Sequence, residues 1–260
     1  MELDVAHAVL LRPGDGDGET VTDRPGRTIR ILLEHEWLDV TWTRYEPGQR
    51  GPDPHVHREH VDSFFVLAGE LVFGLGPQVE EVRAPAGTFV SVPRNVVHTF
   101  ANAGDAPAFF LNFHAPSCGF AESLRGRAEG FDSFDPPEDG GRPASDAIVS
   151  PPGAGERFVR TDRVNVIKTA FPEISAFQLS VDPEWPGVGV HEHDDQVDVF
   201  FLLEGESQLL TGDDAIPARP GAFWAAPPGA RHGVGSPGGG AVFLNVHAPD
   251  AGFADGVRGV

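Results

Sequence analysis

The amino-acid sequence predicts an all-β protein made of two tandem β-barrels of the jelly-roll kind, each closed by a short C-terminal helix. Three observations lead there. One unit of sequence occurs twice, its segments are short and rich in β-branched and aromatic residues, and 32 glycines and 24 prolines in 260 residues supply turns at short intervals.

The repetition comes first, because it sets the domain count. Residues 110–126 (FLNFHAPSCGFAESLRG) and 243–259 (FLNVHAPDAGFADGVRG) agree at eleven of seventeen positions. Upstream, HVHREHVDSFFVLAGE (55–70) matches HEHDDQVDVFFLLEGE (191–206), and GTFVSVPRNVVH (87–98) matches GAFWAAPPGARH (221–232). The order of the blocks is kept and the offset drifts only from 136 to 133. A tandem duplication follows. Residues 127–146 are acidic and rich in Gly and Pro, without apolar periodicity, which reads as a connector. The expected division is a first barrel over residues 1–127, a linker over 128–146 and a second barrel over 147–260. Packed on each other, the two copies would form a pseudo-symmetric dimer within one chain; the chain itself is expected to be a monomer or a homodimer.

Within the first copy, strands are expected over Leu38–Tyr45, Ser63–Ala68, Glu70–Leu75, Thr88–Val92 and Ala108–His114. The run Phe64-Phe65-Val66-Leu67 is apolar on both faces, so both faces of that strand should be covered. The best helical segments are Gly119–Gly126 and its counterpart Gly252–Gly259, each following the last strand of its copy.

Composition narrows the function. With 19 basic against 39 acidic residues, the net charge of −20 repels phosphate backbones and anionic lipid. Neither nucleic acid nor membrane is an expected partner, and anionic substrates are disfavoured except where a metal overrides the field. One cysteine, Cys118, excludes an internal disulfide and a thiolate-rich metal site. The N-terminal Met1-Glu-Leu-Asp-Val lacks the basic and apolar regions of a secretory signal, so a cytoplasmic location is the expectation.

The histidines carry the chemistry. Residues i and i+2 on a strand point to the same side, so His55/His57 and His191/His193 each aim two imidazoles at one place. Asp62 and Asp198 lie five positions beyond, and His98 and His232 complete each set. Three imidazoles and one carboxylate suit a divalent transition metal and leave positions open on an octahedral ion. Glu59 and Asp195 are aligned rivals for the acid; Asp62 and Asp198 are preferred because only they keep a six-residue interval to Gly69 and Gly205. His7, His35 and His60 read as surface residues. His114 and His247 read as packing residues bonded to backbone near a strand end, Tyr45 as core or rim, and the four tryptophans as core and interface.

The pattern His-x-His-x4-acid-x6-Gly, then Gly-x5-Pro-x-Gly-x2-His-x3-Asn, resembles the two motifs of the cupin superfamily, and both occur twice. The first copy supplies His55, His57, Asp62, Gly69, Gly87, Pro93, His98 and Asn102; the second supplies His191, His193, Asp198, Gly205, Gly221, Pro227, Gly229, His232 and Ser236. A bicupin is implied: double-stranded β-helix barrels with one divalent metal in each, iron or manganese favoured and zinc, nickel, copper or cobalt compatible. Asp replaces the family's usual Glu in both copies, one methylene shorter, which leaves open whether it binds the ion or orients a ligand. Asn95 stands where the motif has its turn glycine, and asparagine tolerates positive φ best after glycine.

The resemblance implies a small-molecule substrate and, first among reactions, oxygen-dependent cleavage like that of quercetinase-like dioxygenases. A non-redox lyase, decarboxylase or isomerase, or a bicupin that binds without turnover, are the alternatives. Phe64, Phe109, Phe113, Phe200, Phe223 and Trp224 offer apolar cavity walls, suited to a ring-bearing or enolisable substrate.

Overall fold

A computed structural model of the chain describes residues 7–212, 214–235 and 238–259. The β-branched and aromatic segments form antiparallel strands, and the chain divides into two compact units. The expected strands Leu38–Tyr45 and Glu70–Leu75 are found with those bounds, and the others differ by one or two residues at an end. Among the described residues no helix is long and apolar enough to cross a membrane.

The first barrel comprises Glu19–Ala154. Its seven-stranded sheet runs Ile148–Ser150, Phe89–Val92, Val61–Ala68, Ala108–Ala115, Leu38–Tyr45, Arg27–His35 and Glu19–Arg24 in spatial order. A three-stranded sheet faces it, in the order Glu80–Pro85, Glu70–Leu75, His98–Ala101. The period of two places Asp62, Phe64 and Val66 on the inner face of one central strand. Phe64 packs against Phe73 (ring centroids 5.0 Å) and Phe100 (4.9 Å), filling one part of the barrel and leaving Asp62 at its polar end. On the opposite face Ser63 and Phe65 are buried too, as the unbroken apolar run predicted.

The second barrel comprises the described residues up to Gly18 together with those from Gly155 onward. Its seven-stranded sheet runs Val9–Leu11, Phe223–Ala226, Val197–Gly205, Ala241–Ala248, Ile174–Val181, Arg163–Phe171 and Glu156–Val159. The smaller sheet has four strands, Val188–His191, His232–Gly235, Ser207–Thr211 and Asp214–Ala218.

These divisions depart from the boundaries expected at 127/128 and 146/147. Val9–Leu11, at the start of copy one, pairs with Phe223–Ala226 of the second barrel. Ile148–Ser150, at the start of copy two, pairs with Phe89–Val92 of the first. Each copy thus lends its opening strand to the other's sheet. Nor is 128–146 a free connector. Phe134 forms a bridge with Val56 and Arg142 with Val96, and Asp132 is buried within the first barrel. An extended segment that satisfies its polar groups against a barrel wall needs no periodicity of its own, which is why the sequence reads as a linker.

Two helices close the last strands, Phe120–Leu124 and Phe253–Arg258, each entered through a glycine at positive φ (Gly119, 82°; Gly252, 85°). An acid tethers each: Asp39 Oδ2 accepts from Ala121 N (2.9 Å), and Asp250 Oδ1 from Ala254 N (3.1 Å) and Ser175 Oγ (2.9 Å). Asp39 Oδ1 is buried without a partner, and burial pushes this carboxyl up to about 7. The folded chain therefore keeps a proton that the unfolded chain releases above about pH 4, so this group's stabilisation is lost as pH rises toward 7. Asp39→Asn keeps an acceptor for Ala121 N and removes the titration. Its thermal midpoint should exceed that of the wild type by a few degrees at pH 8 and match it near pH 4. The same difference at both pH values would contradict the shift.

Candidate metal centres

The two motif histidine pairs sit where strands face each other across the barrel mouth. His55 and His98 form an antiparallel bridge with reciprocal backbone bonds, His55 N to His98 O (3.1 Å) and His98 N to His55 O (2.9 Å). His191 and His232 are register partners in the second barrel. The turn that carries the third histidine docks on the second: Asn95 N donates to His57 O (2.7 Å) and Gly229 N to His193 O (2.7 Å). That docking uses a left-handed residue, φ 61° at Asn95 and 75° at Gly229, as the substitution of Asn for Gly anticipates. Gly69 and Gly205 are required by contact as well as φ, since a Cβ would lie 2.6 Å from Pro107 O and 2.2 Å from Gly240 O. Asn102 ties its loop to Tyr45 O and Ala106 O, both at 2.9 Å; its counterpart Ser236 lies outside the described residues.

In the first barrel the Nδ1 atoms of His55, His57 and His98 meet the backbone carbonyls of Asp53 (2.9 Å), Asp132 (2.5 Å) and Val96 (3.1 Å). Such bonds fix the ring orientation and direct Nε2 inward, as in metal-ligating histidines. The three imidazoles can hold a metal ion together. Asp62 Oδ2 lies 3.3 Å from His98 Nε2 and 3.7 Å from His57 Nε2, while its Oδ1 accepts from Asn112 Nδ2 (2.5 Å). In the second barrel His191, His193, Asp198 and His232 form one cluster able to hold a metal ion. His191 and His193 bring their Nε2 atoms within 3.1 Å, His232 Nε2 lies 3.2 Å from Asp198 Oδ2, and Asn245 Nδ2 donates to Asp198 Oδ1 (2.6 Å). The rivals Glu59 and Asp195 are exposed, whereas Asp62 and Asp198 are buried.

Electrostatics hold both acids ionised and His55 neutral, the forms that take a cation, and His232 is the exception. Burial, then the neighbouring His98 and His57, pulls His55 down to about 3, so its ring is neutral. Burial alone would raise Asp62, but His114, His57 and His98 around it hold it well below the usual carboxylate range. Asp198 is lowered in the same way, against its burial, chiefly by His247 and His232. Burial pulls His232 down, yet its bond to Asp198 and that residue's charge leave it raised. Neutral imidazoles and an ionised carboxylate are the forms that bind a metal. The donor set fits on one further ground: His57 Nε2 is buried and has no hydrogen-bond partner. A buried nitrogen without a partner is costly unless something occupies the space before it.

Both centres open on cavities, of about 280 Å³ in the first barrel and about 550 Å³ in the second. The first is walled by Tyr45, Phe100, Phe110, Phe120 and Phe131. Of the aromatics expected as walls, Phe200 alone lines either of these two cavities, that of the second barrel. Phe64 lies in the core, Phe113 packs against Phe89, and Trp224 stacks behind Phe200 (5.4 Å). Strands apolar on both faces give no parity signal to separate the two sides. Cys118, half-buried with its thiol pushed up to about 11 mainly by burial, has none of the character of a nucleophile.

A family model for the Cupin domain matches residues 41–114 and again residues 177–247, more than half of the chain. The chain is a cupin, with the domain present twice. Its fold is similar to that of protein YlbA from E. coli (TM-score 0.69, 13% identity, 94% of this chain and 92% of that one). It is similar too to a putative glyoxylate induced protein from Pseudomonas aeruginosa (0.67, 14%, 95% and 92%) and to an oxalate decarboxylase from Lactobacillus farciminis solved with formate (0.61, 15%, 93% and 86%). No curated protein matches the chain in sequence.

The two sites of this bicupin are not equivalent. His60, expected at the surface, is completely buried in the first barrel. Its Nδ1 meets Asp132 Oδ2 (2.8 Å) and its Nε2 meets His114 Nδ1 (2.8 Å). His114 Nε2 lies 3.2 Å from Asn112 Oδ1 and 3.4 Å from Asp62 Oδ1, and its ring stacks on Phe120 at 3.5 Å. His114 is therefore bonded to side chains beside the candidate ligands, not to backbone as expected. The chain ends in acceptors on both sides, so three bonds in line need three protons where two neutral rings carry two. Gln196 replaces His60 in the second cupin domain. It donates from Nε2 to His247 Nδ1 (2.8 Å), His247 Nε2 donates to Asn245 Oδ1 (2.9 Å), and neutral groups satisfy every bond.

Proposed function

We propose that this bicupin is a metal-dependent enzyme acting in its first barrel on a small organic molecule that presents oxygen atoms to the ion. The observation that carries this reading is that each candidate centre opens on a cavity, about 280 Å³ at His55, His57 and Asp62 and about 550 Å³ at His191, His193 and Asp198. The first barrel is singled out by its aromatic walls. A bicupin that only stored its metal would be expected to close such space with side chains. His55, His57, His98 and Asp62 would hold the ion, which supplies Lewis acidity and, as iron or manganese, one-electron chemistry. Asn112 and His114 fix Asp62, whose charge offsets part of the ion's. Tyr45, Phe100 and Phe110 exclude water and face the apolar body of the substrate.

Among reactions, oxygen-dependent cleavage of dioxygenase type is favoured by that aromatic wall, which suits a ring-bearing or enolisable substrate. A lyase, decarboxylase or isomerase is the second reading, favoured by the hydrogen-bonded line from Asp132 through His60 and His114 to the candidate ligands. Anaerobic loading with Fe(II) or Mn(II), followed by oxygen uptake on flavonols and β-diketones, tests the first. Substrate-dependent uptake is expected; turnover with zinc and without oxygen would replace it by the second. No turnover under either condition across such substrates would overturn the assignment as an enzyme.

A further inference from the structure

We infer that Arg27 is the anion-binding end of the first barrel's cavity and that the molecule taken there is an organic acid. Its carboxylate would sit on Arg27, its apolar middle along Ile29 and Phe110, and its other oxygen atoms toward the histidine cluster. This deepens the function proposed above and rests on it for the metal end.

The register places these groups on one face. Arg27 pairs with Tyr45, Ile29 with Thr43 and Ile31 with Thr41, and the next strand sets Ala108, Phe110 and Asn112 opposite Tyr45, Thr43 and Thr41. Arginine and candidate ligands thus lie at opposite ends of one inner surface, with Thr41 and Tyr45 roughly 13 Å apart along their strand. Arg27 lines the same cavity as His55, His57 and Asp62.

The state of the guanidinium is the second argument. It lies over the Tyr45 ring (4.7 Å to the centroid) and donates from Nη2 to the Arg50 carbonyl. Its Nε is buried with no hydrogen-bond partner, and among the described residues no carboxylate pairs with it. A half-buried guanidinium that lines the cavity, with no carboxylate beside it in a chain of net charge −20, can take an anion there. Arginine's planar fork matches a carboxylate better than any other cation does. The second barrel carries an arginine at the same repeat position, Arg163, but there Asp162 already engages Nη1 through both oxygens (3.0 and 3.3 Å). The acidic charge that disfavours anions over the chain as a whole is offset locally where Arg27 lines the first cavity. A cavity of about 280 Å³ is at the small end of ligand sites, which fits a short-chain acid.

Titration calorimetry of the metal-loaded full chain with 2-oxoadipate and 2-oxohexanoate tests this. The two share a six-carbon 2-oxo acid and differ in the distal carboxylate. The diacid is expected to bind at least tenfold more tightly. Arg27→Gln should bring the two within twofold, with metal content unchanged, and Arg163→Gln should leave the preference as it was. Arg27→Lys, which keeps the cation over Tyr45 but not the fork, should retain part of it, and thermal midpoints confirm folding. Equal binding by the wild type, or a preference that survives Arg27→Gln, would overturn the inference. Hexanoate against hexanamide on chelator-treated chain separates the two readings. A preference for the acid that Arg27→Gln abolishes supports the anion site even where metal uptake fails. No preference overturns the anion site and leaves the metal reading standing.

Discussion

Replacing His57 with alanine is expected to empty the first barrel's centre while the second stays loaded, halving the metal bound per chain in a mass-spectrometric count. His57 is a buried donor: its Nδ1 is held by the Asp132 carbonyl at 2.5 Å and its Nε2 is buried without a partner. The geometry of the remaining ligands does not let a neighbour substitute. His60 is 3.9 Å away ring to ring, but both its nitrogens are engaged, with Asp132 and His114. The second barrel draws its cluster from its own residues, so His193→Ala should give the mirror result. An unchanged metal count for His57→Ala would show that the first-barrel ligands are misassigned. A count of zero would show that the two centres do not load independently.

Much of this was legible because the chain states it twice. Two copies of His-x-His, at a constant distance from an acid and from a glycine, locate the strands as well as the clusters. The left-handed turns at Asn95 and Gly229 then follow from which residues tolerate positive φ. What could not be read lies where repetition stops. Asp132 falls beyond the last repeated block of copy one. His60, whose counterpart is Gln196, reads as a surface residue, although the change alters how the neighbouring histidine is bonded. The three-residue strands Val9–Leu11 and Ile148–Ser150 have too little pattern to reveal which sheet they join. Arg27 and Arg163 are aligned, but only the folded structure shows that Arg163 has an acid engaging it and Arg27 does not.

The segment that looked least structured should prove among the most sensitive. Asp132 accepts from Arg58 N (3.0 Å), Glu59 N (2.7 Å) and His60 Nδ1 (2.8 Å), and its carbonyl takes the His57 ring. Burial would raise its pKa, yet the backbone amides of Arg58 and Glu59 and the His60 ring outweigh that and lower it. Phe134, two residues on, lies under the Arg58 guanidinium at 3.8 Å and bridges Val56. One acid thus pins the whole loop that carries a candidate ligand. Asp132→Ala strands the amides and leaves buried His60 without its acceptor. Bonds to an ionised group contribute about 1.5–3 kcal/mol each, and water can replace those near the surface, so a loss of about 3 kcal/mol is expected. That corresponds to a fall of roughly 10 °C in the first barrel's thermal midpoint. Supporting residues of this kind change metal affinity by about 10–100-fold. Competition with a chelator should therefore show the first site weakened by about that factor and the second unchanged. Asp132→Asn, which keeps an acceptor oxygen, should fall between. Equal loss at both sites would mean that the substitution acts through general destabilisation, and no loss at either would mean that the loop holds its shape without the acid.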